Sequence, residues 1–198
     1  NSTIIGSYIE NSTINDSIVR YSNVSNSNVI GSTIDNSTVS NSNVADGSTV
    51  NGSDVTGGSD VSGGSSVTSG SNVDGSNVSG GSNVSGGSNV TSGSNVAGGS
   101  DVSCGSSVTG GSNVDGSNVS GGSNVSGGSN VIDSNVNNSD ISGSTLQNNS
   151  VMNSNIINSI LPHGAYVINA TINNNILAQG TILLATPWGC CKDCKIFN

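Results

Sequence analysis

The sequence predicts an all-β chain wound into a narrow β-solenoid. Three observations predict it. One aliphatic residue recurs every five or six positions along almost the whole chain; a serine usually stands two positions before it; glycine, asparagine or aspartate follows it. Neither five nor six, sustained over residues 2 to about 184, matches the helical period of 3.6. Serine, asparagine, glycine, valine and isoleucine are also weak helix formers. In a short strand alternate side chains share a side, so the aliphatic residue and the serine two positions earlier face inward together. The residue between them, often Asn or Thr, faces out. The Gly, Asn or Asp that follows tolerates positive φ and makes a corner. A strand and a corner, repeated, coil the chain.

The first segment, residues 1–49, advances by fives: Ile4, Ile9, Ile14, Val19, Val24, Val29, and on to Val44. From Val44 to Val50 the step becomes six, and residues 50–131 mix sixes with fives such as Val73 to Val78. Within this middle segment residues 58–90 recur as 99–131, differing only where Gly63 becomes Cys104 and Ser69 becomes Gly110. Near-identity of this kind is left by copying of a gene segment and suits a stackable module. Residues 132–184 return to fives: Val136, Ile141, Leu146, Val151, Ile156 and Leu161. A slip falls at residues 162–164, Pro162-His163-Gly164, beyond which serine is replaced by Ala or another small residue and the fives continue through Val167, Ile172, Leu177 and Ile182. Residues 185–198 form a cysteine-rich tail outside the repeat. The expected core is the column of central aliphatics, represented by Val24, Val44, Val84, Val125, Ile156 and Ile172. The serines beside them, buried, are expected to bond backbone or the serine of the next coil. Outward Asn23, Asn72 and Asn77 are expected to form polar ladders.

Composition excludes several function classes. Serine, asparagine and glycine fill 104 of 198 positions, and aromatic residues only 3%. A packed enzyme core needs larger side chains. Arg20, Lys192 and Lys195 are the only basic residues, too few to neutralise a row of phosphates, so no nucleic-acid partner is expected. No apolar run approaches the ~20 residues of a membrane span. The twelve acids are scattered singly, with a net charge of −9.

Candidate chemistry is sparse. His163 sits between Pro162 and Gly164 and reads as a corner residue. Gly-Gly-Ser-Asp at residues 57–60 and 98–101 has the wrong period for calcium-binding Gly/Asp repeats. Cys190, Cys191 and Cys194 suggest a disulfide-bonded tail or interchain thiols; a zinc site would want a second ligand pair. Cys104 replaces a glycine and reads as incidental. Sequons begin at Asn1, Asn11, Asn23, Asn36, Asn51, Asn77, Asn83, Asn89, Asn118, Asn124, Asn137, Asn148 and Asn169, as a chain so rich in Asn and Ser produces by chance. No catalytic residue, cofactor site or metal site is expected.

The units Ser-Asn-Val-Ser-Gly at residues 76–80 and 82–86 resemble those of pentapeptide-repeat proteins. That resemblance covers residues 2 to about 184 and implies a right-handed quadrilateral β-helix. It departs in its central residue, Val or Ile instead of Leu or Phe, and in the extra glycine of units such as residues 81–86. Those longer units also resemble the hexapeptide repeats of left-handed triangular β-helices, with Val78 followed by Ser82 and Val84 by Ser88. Because fives hold both ends, the right-handed four-unit coil is the expected one and the left-handed coil the alternative. The functional expectation is a non-enzymatic structural rod, a building block of a fibre, filament, virion or cell-surface layer, extracellular or on a virion or cell surface. Its partners would be copies of itself or other structural subunits, since the repeat is in register from Ser2 with no cover. The family resemblance implies an alternative, an acidic DNA-mimic inhibitor. Ice or surface binding is another, but outward threonines such as Thr3, Thr13, Thr33 and Thr38 are few.

Overall fold

A computed structural model describes residues 1–184. Within them the chain is an all-β parallel solenoid of about 11 turns. Its strands are two or three residues long, and each pairs in parallel with the strand three units later. The first three strands, Thr3–Ile5, Tyr8–Glu10 and Thr13–Asn15, found three sheets of 12, 11 and 10 strands. We call these the first, second and third faces. Register keeps like on like: Val19 pairs with Ile34, Ile34 with Val50 and Val50 with Val67 on the first face.

The four-unit turn expected from the pentad pattern does not form, since three units close each turn. Each unit contributes one central aliphatic, mostly Val or Ile, to a single buried column. These side chains are smaller than the Leu and Phe of the pentapeptide pattern, which suits a turn of fewer units. Val24, Val44, Val84, Val125 and Ile156 are fully buried, and Ile172 nearly so.

Pentads and hexads share this three-unit turn because the extra residue is taken up at the corner. In a pentad, a single residue takes positive φ, as Asn26 does at 47° between Ser25 and Ser27. In most hexads two do, as Gly80 and Gly81 at 65° and 76°. The hexad corner is a two-residue turn closed by a backbone bond from Ser82 N–H to the Ser79 carbonyl at 3.3 Å, the φ signs being those of a type I′ turn. A turn therefore spans 15 residues from Ser22 to Ser37, where three pentads meet, and 18 from Ser76 to Ser94, where three hexads meet. Core position does not change, though the strand before a two-residue corner is in several units one residue shorter, as at Asn77–Val78 and Asn83–Val84.

Buried serines tie corner to corner. The Ser22 hydroxyl donates to the Arg20 carbonyl at 2.6 Å and accepts from the Ser37 N–H of the next coil at 3.1 Å. In hexads the corner carbonyl lies one residue further back, so Ser100 donates to Ala97 at 2.6 Å. The longer corner satisfies serine less reliably. Ser48, Ser65, Ser71 and Ser94, whose buried hydroxyls lack a partner, all follow a two-residue corner. At one site an asparagine does the serine's work. Asn149, buried, donates to the Leu161 carbonyl at 2.6 Å and accepts from Ala165 N–H at 2.8 Å.

The slip read at residues 162–164 is a step of six, from Leu161 to Val167, across a corner at His163 and Gly164, and only the last unit departs from the fives read after it. In the strand Ile182–Leu184 it is Leu183, not Ile182, that pairs with Val167 and packs against the core. Ile182 faces out, because a second two-residue corner precedes the buried Thr181.

This geometry predicts two mutant outcomes. Val84→Asp places an unpaired charge in the column and should cost several kcal/mol, seen as loss of the cooperative thermal transition. Asn118→Thr, at an exposed strand position with no side-chain partner, should stay within about 0.5 kcal/mol of the parent. Equal melting midpoints for the two would contradict the inward register.

Candidate functional site

The surface is built from the two outward positions of each strand and from the corners. Residues before the central aliphatic stack one coil above another. On the third face Asn95 donates to Asn113 and Asn113 to Asn130, both at 2.9 Å. On the second face Asn72 donates to Asn89 at 3.1 Å. Aspartate enters these ladders as an acceptor: Asn43 donates to Asp60 at 3.0 Å and Asn83 to Asp101 at 3.3 Å. Of the ladder residues named from sequence, Asn72 is thus bonded to its neighbour, while Asn23 and Asn77 align in register with Thr38 and Asn95 without a side-chain bond.

Corner glycines make room for carboxylates. Asp74 folds over Gly57 of the preceding coil, and its duplicate Asp115 folds over Gly98, each occupying the space a Cβ there would need. Glycine is therefore required twice at these corners, for positive φ and for space.

Charged groups are dispersed. Asp101 lies on the first face, Asp140 on the second and Asp60 on the third. Arg20 pairs with Asp35 one coil away at 3.1 Å; at this exposure such a pair is worth at most about 1 kcal/mol. The Tyr8 hydroxyl donates to the Glu10 carboxylate at 3.1 Å, and that bond, with the adjacent negative charge, raises the phenol's pKa. No group of three His, Cys, Asp or Glu gathers among the described residues.

His163 occupies an exposed corner, and its backbone carbonyl accepts from Gly180 N–H at 3.1 Å. Asp133 shares that corner two coils away, about 10 Å at the usual strand spacing, too far to orient the imidazole. An open groove of about 580 Å³ runs along the same corner past Asp101, Gly116, Asp133, Asn148 and Tyr166. It lacks the enclosure of a small-molecule pocket. The threonines Thr3 and Thr33 lie on the first face, Thr38 on the second and Thr13 on the third, so they form no common row. Cys104 is an exposed, free thiol at a hexad corner with φ 56°. Cys190, Cys191 and Cys194 lie outside the described residues.

Sequence reading missed one surface feature. On the first face the outward residues of the last coils, apart from Ser150, are Met152, Tyr166, Ile168, Ile182 and Leu184. They lie up to 32 positions apart in the chain (152 to 184), and only knowledge of the turn length brings them together.

No family model and no curated protein matches the chain. Among solved structures it is similar to a "putative acetyltransferase" from Desulfovibrio desulfuricans G20, with 14% identity and a TM-score of 0.39 over 91% of this chain. The match covers 59% of that protein. A likeness of this extent assigns neither family nor activity. No helix of the described residues is long and apolar enough to cross a membrane.

Two consequences can be checked by melting. Asn83→Asp, which the sequence pattern alone would make silent, sets a second carboxylate face to face with that of Asp101 and removes the bond between the two residues. It should destabilise by roughly 0.5–1 kcal/mol, and the loss should shrink in high salt. Cys104→Gly restores the residue of the sister repeat at a positive-φ corner. Relief of about 1 kcal/mol should raise the melting midpoint by a few degrees.

Proposed function

We propose that the chain is a non-enzymatic structural rod, roughly 50 Å long at the usual strand spacing, that serves as a building block of a fibre, filament, virion or cell-surface assembly. The observation that supports this reading most is where the duplicated segment lands. Its offset spans seven units and a turn holds three, so a copy never sits on the face of its original. Val61 is on the third face and its copy Val102 on the first; Val67 is on the first and its copy Val108 on the second. A segment that serves equally on any face carries no face-specific site. A catalytic or recognition surface confined to one face would be scrambled by such a step, whereas a stackable rod only lengthens.

Partners on this reading are further copies or other structural subunits, in an extracellular or surface setting that suits a sparsely charged, polar rod. The coil is read as the three-sided, left-handed kind of the hexapeptide repeats, because three units close a turn and hexads fit it without change. The pentapeptide resemblance then belongs to the unit and not to the turn. DNA mimicry, which rests on that resemblance, draws no support from acids spread over all three faces.

Deletions and microscopy test the proposal together. Removing residues 68–102 takes out two whole turns and leaves every later unit on its own face. Removing residues 64–104 takes out seven units and moves every later unit round by one face. Both proteins should keep the β circular-dichroism signal and form shortened rods, whereas removal of residues 82–84 should not. Loss of β signal in the seven-unit deletion alone would mean that the faces are not equivalent. Electron microscopy of the parent should show ordered association of rods. Isolated rods at every concentration, salt and redox condition would overturn the building-block role.

A further inference from the structure

The first face changes character towards its last coils. Within its strands from Thr33 to Asn137, every outward residue is Ser, Thr, Asn or Asp. The two outward columns then become Ser150–Tyr166–Ile182 and Met152–Ile168–Leu184, in register one coil above another. Ile182 and Leu184 are 68% and 59% exposed, and Tyr166 38%. Met152 and Ile168 are half-buried beside them. A contiguous apolar patch beyond this long polar stretch of the face calls for an occupant.

We infer that the occupant is this chain's own C-terminal segment, residues 185–198, docked on the patch through Trp188. The chain leaves the patch at Leu184, so the segment begins where it would bind. It carries Trp188, Ile196 and Phe197, the first and last being the only Trp and Phe of the protein. Fourteen residues reach up to about 46 Å when extended, while the patch spans three coils, about 10 Å. Reach therefore sets no limit, and tethering gives the segment a local concentration that a second molecule does not match. Pro187 has no N–H to donate, so it interrupts any further ladder and favours docking by side chains. Lys192 and Lys195 are two of the three basic residues in a chain of net charge −9, so long-range attraction to the rod has the right sign. The inference does not depend on the role of the rod.

Trp188 reports on it directly, being the sole tryptophan. In the folded 198-residue chain at high dilution its emission should be blue-shifted, and acrylamide should quench it severalfold less than in the denatured chain. The double variant Ile168→Ser, Ile182→Ser changes outward positions only; with the β circular-dichroism signal intact, its emission should move to the solvent-exposed value. Ile30→Ser, outward on the third face, should leave emission unchanged. Solvent-exposed emission in the parent would overturn the inference. So would blue emission that is lost on dilution, which would make a second copy the occupant, or blue emission indifferent to the double variant, which would place Trp188 elsewhere.

Discussion

A backbone in the left-handed region two positions after nearly every central aliphatic, Leu161 and Leu177 excepted, is the constraint from which the architecture follows. Such a residue reverses the strand sharply enough for the next short strand to begin at once. L-residues resist this conformation, with Gly, Asn and Asp resisting least. The composition of the chain is largely a consequence. Asn26, Asn36 and Asn41 turn the early pentads, and Gly80-Gly81 and Gly86-Gly87 turn the hexads. Because the corner takes up the extra residue by adding a second positive-φ position, unit length varies without disturbing the Val column or the strand register. Serine completes the arrangement. Its hydroxyl caps the corner carbonyl and receives the N–H of the next coil, so a small polar residue can be buried beside valine at little cost.

The same construction makes the three faces equivalent to the core while leaving them different to solvent. Inside, any unit can follow any other, and the seven-unit duplication moved one face round without disturbing the column. Outside, the step changes which side chains stand above one another. Asn83 meets Asp101 only because a turn here takes 18 residues. A polar residue exchanged within a ladder is therefore not neutral by default; its effect depends on the coil above and below. The apolar columns at the end of the first face arise in the same way, from residues unremarkable in sequence that the coil brings into line.

What the sequence by itself determined is the local unit. Period, strand, inward serine and aliphatic, and corner residue all follow from side-chain alternation and from φ preferences, which act within five or six neighbouring positions. Val24, Val84 and Ile156 are buried and Asn72 is outward for reasons visible in single units. The number of units per turn was not legible, because closure depends on how many side chains meet at the axis, and those come from units up to a turn apart. Three units close the turn where the pentad pattern suggested four. The register of the last units was likewise settled by packing: with a two-residue corner before Thr181, Leu183 and not Ile182 reaches the core. The ladder pairs, the rotation of the duplicated segment and the patch around Tyr166 and Ile182 were decided by tertiary structure alone, since each is set by stacking at a distance of 15 to 18 residues and not by any neighbour in the chain.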